Sequence, residues 1–314
     1  MTWMTEQGPL SSDTTASSRT AWLALAANLG TALAKLGAAL YTRSSAMMAE
    51  AFHAFADSGN EVLLLVAERS SRMLPDEQHP LGHGRAAYFW ALIASLGVFA
   101  VGSVLSVRQG VLELIHPERT VSFRAAYIVL VVSFSLDAMS FFRAQRQLNQ
   151  EARALNRGFL EYLGLSSDPI ARAVFAEDAA ALVGNVIAFA GIGLHQLTGF
   201  PLPEGIAAIV IGLLLGVVAL QLAARNGDTL IGGQVSGVLR DRIRDVLAAQ
   251  PGITAVTELL VTFLGPRLAW VVTRIAVDEG LTGARVQAIV RDAEAALKRE
   301  SPFIVRVDVV LASR

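Results

Sequence analysis

The stretch AYFWALIASLGVFAVGSVLSV, residues 87–107, runs 21 positions without a charged side chain. A helix on the surface of a soluble protein needs a polar face, and only three serines interrupt this run, so lipid must be part of its solvent. Gly205–Ala224 repeats the signal with no charge at all. Four further stretches of spanning length, roughly 17 to 25 residues, lie at about Ala21–Tyr41, Ser45–Val66, Ala125–Phe142 and Ala171–Leu194. The expectation is six membrane helices.

Composition agrees. Hydrophobic residues make up 53% of the 314 and charged residues 17%, too apolar for one soluble core to hide. A formal net charge of −1 supplies no field that would draw nucleic acid, which is excluded as a partner. With no cysteine in the chain, disulfides, thiolate metal sites and thiol catalysis are ruled out together, and any metal must be held by oxygen and imidazole. Residues 1–20, with Gly8-Pro9 and the polar run Ser11 to Ser18, lack the pattern of a signal peptide and are expected to form a mobile tail.

Six spans put both termini on one side of the bilayer. Arg69, Arg72, Arg85, Arg143, Arg146 and further arginines out to Arg225 flank one face, against Arg43, Arg108, Arg119 and Arg124 on the other. The positive-inside rule makes the first face, and both termini, cytoplasmic. After Arg225 a glycine-rich connector (226–237) leads to ordinary soluble patterning over 238–314. The periodicity predicts a helix at Val238–Ala249, strands at Thr254–Phe263 and Ala269–Val277 joined through Gly265-Pro266, a helix at Gly283–Arg299 and a strand at Phe303–Leu311. The predicted fold is thus a membrane all-α six-helix bundle over 21–225, followed by a cytoplasmic α+β domain of order αββαβ, ferredoxin-like in class.

Ionisable residues within a bilayer are costly, about 2.5 to 3.5 kcal/mol each at a helix centre, and mark function by default. The third and sixth spans have none; Lys35, Glu50, His53, Asp57, Glu61, Asp137, Glu177 and Asp178 are spread over the other four. His53 and Asp57 are four residues apart and Asn60 three further, so all three share one stripe of the second span, with Glu50 adjoining from the turn before. An imidazole and a carboxylate at that spacing can close on one cation, with a carboxylate such as Asp178 from a facing helix completing an N/O cage of a kind zinc favours, though manganese, iron and cobalt also fit. Lys35, Asp137 and Glu61 have a different reading, as charges that neutralise one another across neighbouring spans. In the loop 76–85, which opens Asp76-Glu77, the pair His79 and His83 with an acid nearby is by itself a weak metal signal, and a solvated turn accounts for it. His116 and His195 stand where exposed or interfacial histidines are ordinary.

The segment SSAMMAEAFHAFADSGN at 44–60, followed by HPLGHGR at 79–85, resembles the cation diffusion facilitator family. The likeness extends to the Lys-bearing first span, the acid in the fourth, the SSDP segment at 166–169 and the αββαβ tail. It implies a homodimeric, non-enzymatic transporter of the cell membrane, without a resident cofactor, that exports Zn²⁺ or a similar divalent cation in exchange for protons by alternating access. His53, Asp57 and Asp178 match the family's transport-site positions. Many zinc members carry a further ligand four residues before the fifth-span Asp; here that position is Val174, and Glu177 sits beside Asp178 instead. The fourth ligand therefore stays open among Glu177, Glu50, Asn60, Asn185 and water, and the Ala-Glu-Asp arrangement looks like a less-studied branch. A transporter selective for Mn²⁺, Fe²⁺ or Co²⁺, a metal sensor and a channel are the alternatives. A membrane metalloenzyme is disfavoured because neither HExxH nor GxSxG occurs.

Overall fold

A computed structural model of the chain describes residues 14–117, 120–154, 158–159, 169–301 and 303–312. Among them are six long helices: α1 (Thr14–Thr42), α2 (Ser45–Ser71), α3 (Ala86–Ile115), α4 (Phe123–Ala154), α5 (Pro169–Thr198) and α6 (Leu202–Leu230). There follow α7 (Gly237–Ala248), β1 (Ile253–Gly265), β2 (Leu268–Val277), α8 (Gly283–Glu300) and β3 (Ile304–Leu311). The helices α3 to α6 are each long and apolar enough to cross a membrane. With 29 and 27 residues, α1 and α2 match them in length, but α2 spends its polarity on Glu50, His53, Asp57, Asn60 and Glu61. The chain is a membrane protein with at least these four apolar helices.

α6 shows how the sequence sorts lipid from protein. Ile206, Val210, Leu213, Val217 and Leu220 are exposed at alternating spacings of four and three, while Ala207, Ala208, Ile211, Leu215 and Ala219 are buried. A stripe of large apolar side chains on the outside, with alanines beside Ile211 and Leu215 on the inside, suits a helix in hydrocarbon, where small residues let backbones approach closely.

The chain divides into two compact units. The first comprises residues up to Leu65, Ala94–Ser140 and Glu177–Leu220. Its core gathers Ala39 of α1, Met47 of α2, Leu130 of α4, Ile192 of α5 and Ile211 of α6. In it α3 meets α6 so closely that a Cβ at Gly110 would lie 2.5 Å from the Gly205 carbonyl oxygen, and one at Gly212 would lie 2.8 Å from the Val107 nitrogen. A wide π turn over Val98–Val104 interrupts α3, a local expansion of the kind common near functional sites.

The second unit comprises Val66–Ile93, Phe141–Ala176 and Gln221–Arg314. Its three-stranded sheet has the order β1-β2-β3, β1 antiparallel and β3 parallel to β2. Ile243 and Leu247 of α7, Ala293 and Leu297 of α8, and Val261, Val271 and Val307 of the sheet form one core, as a two-layer α+β unit requires. The β1–β2 turn presses on the α2–α3 loop: a Cβ on Gly84 would come within 2.5 Å of the Leu264 carbonyl oxygen, and one on Gly265 within 2.7 Å of Gly84 Cα.

Element order in the C-terminal part is the αββαβ expected. The domain edges differ. Helix α1 already includes residues 14–20 of the stretch expected to be a tail, whose residues 1–13 fall outside the described residues. Helix α6 runs through Gly227 to Leu230, inside the expected connector, because glycine weakens a helix without ending it. It closes only where Gly232 reaches φ +91° and the Gly233 N–H bonds the Asp228 carbonyl. Residues 166–168 of the SSDP segment, too, lie outside the described residues.

Candidate metal centre

The first unit holds most of the ionisable side chains that the sequence singled out, and helical register puts them there. On α2 the His53 ring is 1% exposed, with Nδ1 3.4 Å from Asp57 Oδ1. Both ring nitrogens, Asp57 Oδ1 and Glu177 Oε1 are buried and make no hydrogen bond. Unmet polar atoms are rare in native interiors and call for an explanation such as an ion. One turn further, Asn60 Nδ2 donates to Glu177 Oε2. Asp178 accepts from Ser140 of α4 at 2.9 Å. Asp57 in turn lies within electrostatic reach of Glu177, Asp178, Asp137 and Lys35. The donor atoms are the neutral nitrogen and carboxylate oxygens that borderline divalent cations take.

The predicted set is not equally disposed. Glu50 is fully buried and bound by Lys35, Nζ to Oε2 2.8 Å, with Asp137 Oδ2 3.8 Å from the same ammonium. Glu61 accepts from Asn28 of α1 at 2.9 Å. Asn185 donates to Asp137. Glu177 and Asn60 meet each other, which answers in part how a residue beside Asp178 can face α2. His53, Asp57 and Asp178 do not come within a common 4.8 Å.

The three groups that do so among the described residues are Asp76, His79 and His83, in the α2–α3 loop. His79 Nδ1 is 3.0 Å from Asp76 Oδ1, and His83 Nε2 is 3.6 Å from Asp76 Oδ2. The His83 Nδ1 faces the Leu74 carbonyl at 3.3 Å, the kind of second contact that orients a ligating imidazole. Gly82, at φ +79°, reverses the chain between the two histidines. Asp76 Oδ1 accepts the backbone N–H groups of Gln78 and His79. Those contacts, the His79 N–H first, hold the exposed Asp76 carboxyl below its ordinary range. A solvated turn is what the sequence predicts here. Its i, i+3, i+7 spacing was the available signal, ambiguous because residues at those intervals converge in a loop only if the backbone folds back.

His195 also departs from expectation. It is buried, and its Nδ1 lies 2.5 Å from Glu204 Oε1, which also accepts from Thr120 at 2.7 Å, while Ser44 donates to Glu204 Oε2. The ring is held edge-on by Phe123.

A family model, the cation efflux transmembrane domain, matches residues 21–231. The chain belongs to the cation diffusion facilitator family. Among its curated relatives, the mitochondrial proton-coupled zinc antiporter SLC30A9 of Xenopus laevis is 34% identical over 231 residues, 74% of this chain and 41% of that protein. Metal tolerance protein C4 of Arabidopsis thaliana is 34% identical over 198 residues, 63% of this chain and 43% of its own length. The chain therefore spans about two fifths of these relatives. The cation-efflux pump FieF of Klebsiella pneumoniae is 24% identical over 287 residues, 91% of this chain and 89% of the pump. The family is one of cation transporters.

Proposed function

We propose that this protein exports a divalent metal cation, Zn²⁺ foremost, in exchange for protons. The carrying observation is the buried His53 ring with both nitrogens unbonded beside the unbonded Asp57 Oδ1. His53 must be neutral and the acids ionised to hold the ion, so protons compete for the same atoms and a proton gradient can drive exchange. His53, Asp57 and Asp178 are the core ligands of this reading, Glu177 with Asn60 the preferred completion, and Glu50 the less suited one because Lys35 already binds it. Six spans, cytoplasmic termini, a cell-membrane location and a homodimer complete the proposal. The zinc antiporter named above supports the choice of ion and coupling.

The test is flux. Purified protein in liposomes with an imposed pH gradient should move Zn²⁺ faster than Mn²⁺, Fe²⁺ or Co²⁺, saturably and only while the gradient lasts. Flux that does not saturate would indicate a channel, and binding without flux a sensor.

A second cation position in the α2–α3 loop follows from Asp76, His79 and His83. His83→Ala should remove one bound Zn²⁺ per chain in equilibrium dialysis, leave the membrane ion in place, and abolish the acid-induced release of that loop ion, since imidazole binds metal only when neutral. An unchanged count would return the loop to a solvated turn.

A further inference from the structure

Lys35 is buried in the first unit, 2% exposed, and the exchange outlined above gives it no part. Its ammonium faces two carboxylates, Glu50 Oε2 at 2.8 Å and Asp137 Oδ2 at 3.8 Å. Glu50 is fully buried, and its second oxygen, Oε1, makes no hydrogen bond. That oxygen occupies space which only glycine leaves free, since a Cβ at Gly184 would lie 2.5 Å from it. Asp137 is partly open, and it is steered by Asn185 Nδ2 at 2.8 Å, whose carbonyl oxygen accepts from Ser133 at 3.1 Å. Carboxylates from α2 and α4, braced from α5, thus enclose a cation delivered by α1.

The geometry points to a second cation position in the membrane domain, formed by Glu50 and Asp137 and permanently filled by the Lys35 ammonium. Two carboxylates with room for water through Asp137 are an oxygen set that divalent cations accept. Glu50 Oε1, a buried carboxylate oxygen without a partner, is a cost that an ion pair serving stability alone would not repay. Glu50 precedes His53 by three residues, about 4.5 Å of helix rise. The tethered charge therefore adjoins the cargo ligands of the proposed function, on which its purpose depends, and it keeps a second divalent ion from entering beside the first. An unbroken row of acids would suit a channel; a fixed ammonium in the row enforces one ion at a time.

Equilibrium dialysis of the full chain in detergent, with Zn²⁺ and Mn²⁺ separately, tests the position. Lys35→Met should bind one more ion per chain than the native protein, Lys35→Arg should keep the native count, and Lys35→Met with Asp137→Asn should lose the extra ion. An unchanged count for Lys35→Met overturns the inference, as does an extra ion that survives the second substitution. Should Lys35→Met be unstable without metal, Mn²⁺ is expected to raise its thermal midpoint and to leave that of the double variant unmoved. A Lys35→Met chain that unfolds with and without ions also overturns it, because metal in the vacated position should replace the missing charge. Asp57→Ala in the same dialysis separates the two ideas. If it keeps the native count, the cargo site is wrong while the gain on Lys35→Met still decides this position.

Discussion

Asp57→Ala is expected to reduce gradient-driven metal flux in liposomes to the level of empty vesicles while the protein still inserts and purifies normally. Asp57 supplies a buried, unbonded carboxylate oxygen 3.4 Å from His53 Nδ1. Loss of groups that merely orient a metal ligand costs about 10- to 100-fold in affinity, and removal of a ligand should cost about 100-fold or more. The alanine abandons no hydrogen bond at Oδ1, which has no partner, and gives up only the 3.4 Å contact with His53 Nδ1. Binding loss with retained folding is therefore the signature. Glu68→Gln is the matching control: Glu68 lies on the same helix, exposed, in a pair with Arg72 at 2.5 Å, and exposed ion pairs contribute about 0 to 1 kcal/mol. Its flux should stay near native. If Asp57→Ala transports like the control, the cargo passes elsewhere and the reading of α2 fails.

The contrast between α3 and α2 explains how much of this was legible beforehand. Helices α3 and α6 declare themselves because an uncharged run of twenty residues has one physical home. Helix α2 is read from residue identities, since its hydropathy is spoiled by the groups that give it a function. Along one helix the sequence dictates who shares a face, and so His53, Asp57 and Asn60 were found together. Between helices it says nothing of rotation. That Lys35 would meet an acid could be anticipated, but not that Glu50 would be the nearer partner, nor that Asn60 would bind Glu177 across 117 positions of sequence. The convergence of Asp76 with His79 and His83 is only weakly legible for a related reason: helical spacing has meaning in a helix, and in a loop only the turn at Gly82 gives it one. The αββαβ order was legible from periodicity, whereas the end of α6 was not, because Gly227 reads like a breaker and acts like a helix residue.

Glu204→Ala should be the most destabilising single change in the first unit. The carboxylate is 1% exposed and accepts from Ser44 in the α1–α2 turn, Thr120 before α4, and His195 at the end of α5. One side chain at the start of α6 thus ties three separate connections. Removing it leaves the buried Ser44 hydroxyl and His195 imidazole and the half-buried Thr120 hydroxyl without their acceptor, and breaking a buried, paired group typically costs about 3 to 5 kcal/mol. For a chain of this size that corresponds to a fall in thermal midpoint on the order of 10 °C. Glu204→Gln keeps one acceptor oxygen and should recover roughly half of the loss, because a neutral acceptor makes the weaker bonds. The measurement is thermal unfolding in detergent, followed beside Zn²⁺ binding. Both variants should retain the bound ion at low temperature, since no cargo ligand touches the knot. A large loss of binding with an unchanged midpoint would mean that His195 and Glu204 belong to the ion's path rather than to the scaffold that closes this end of the helices.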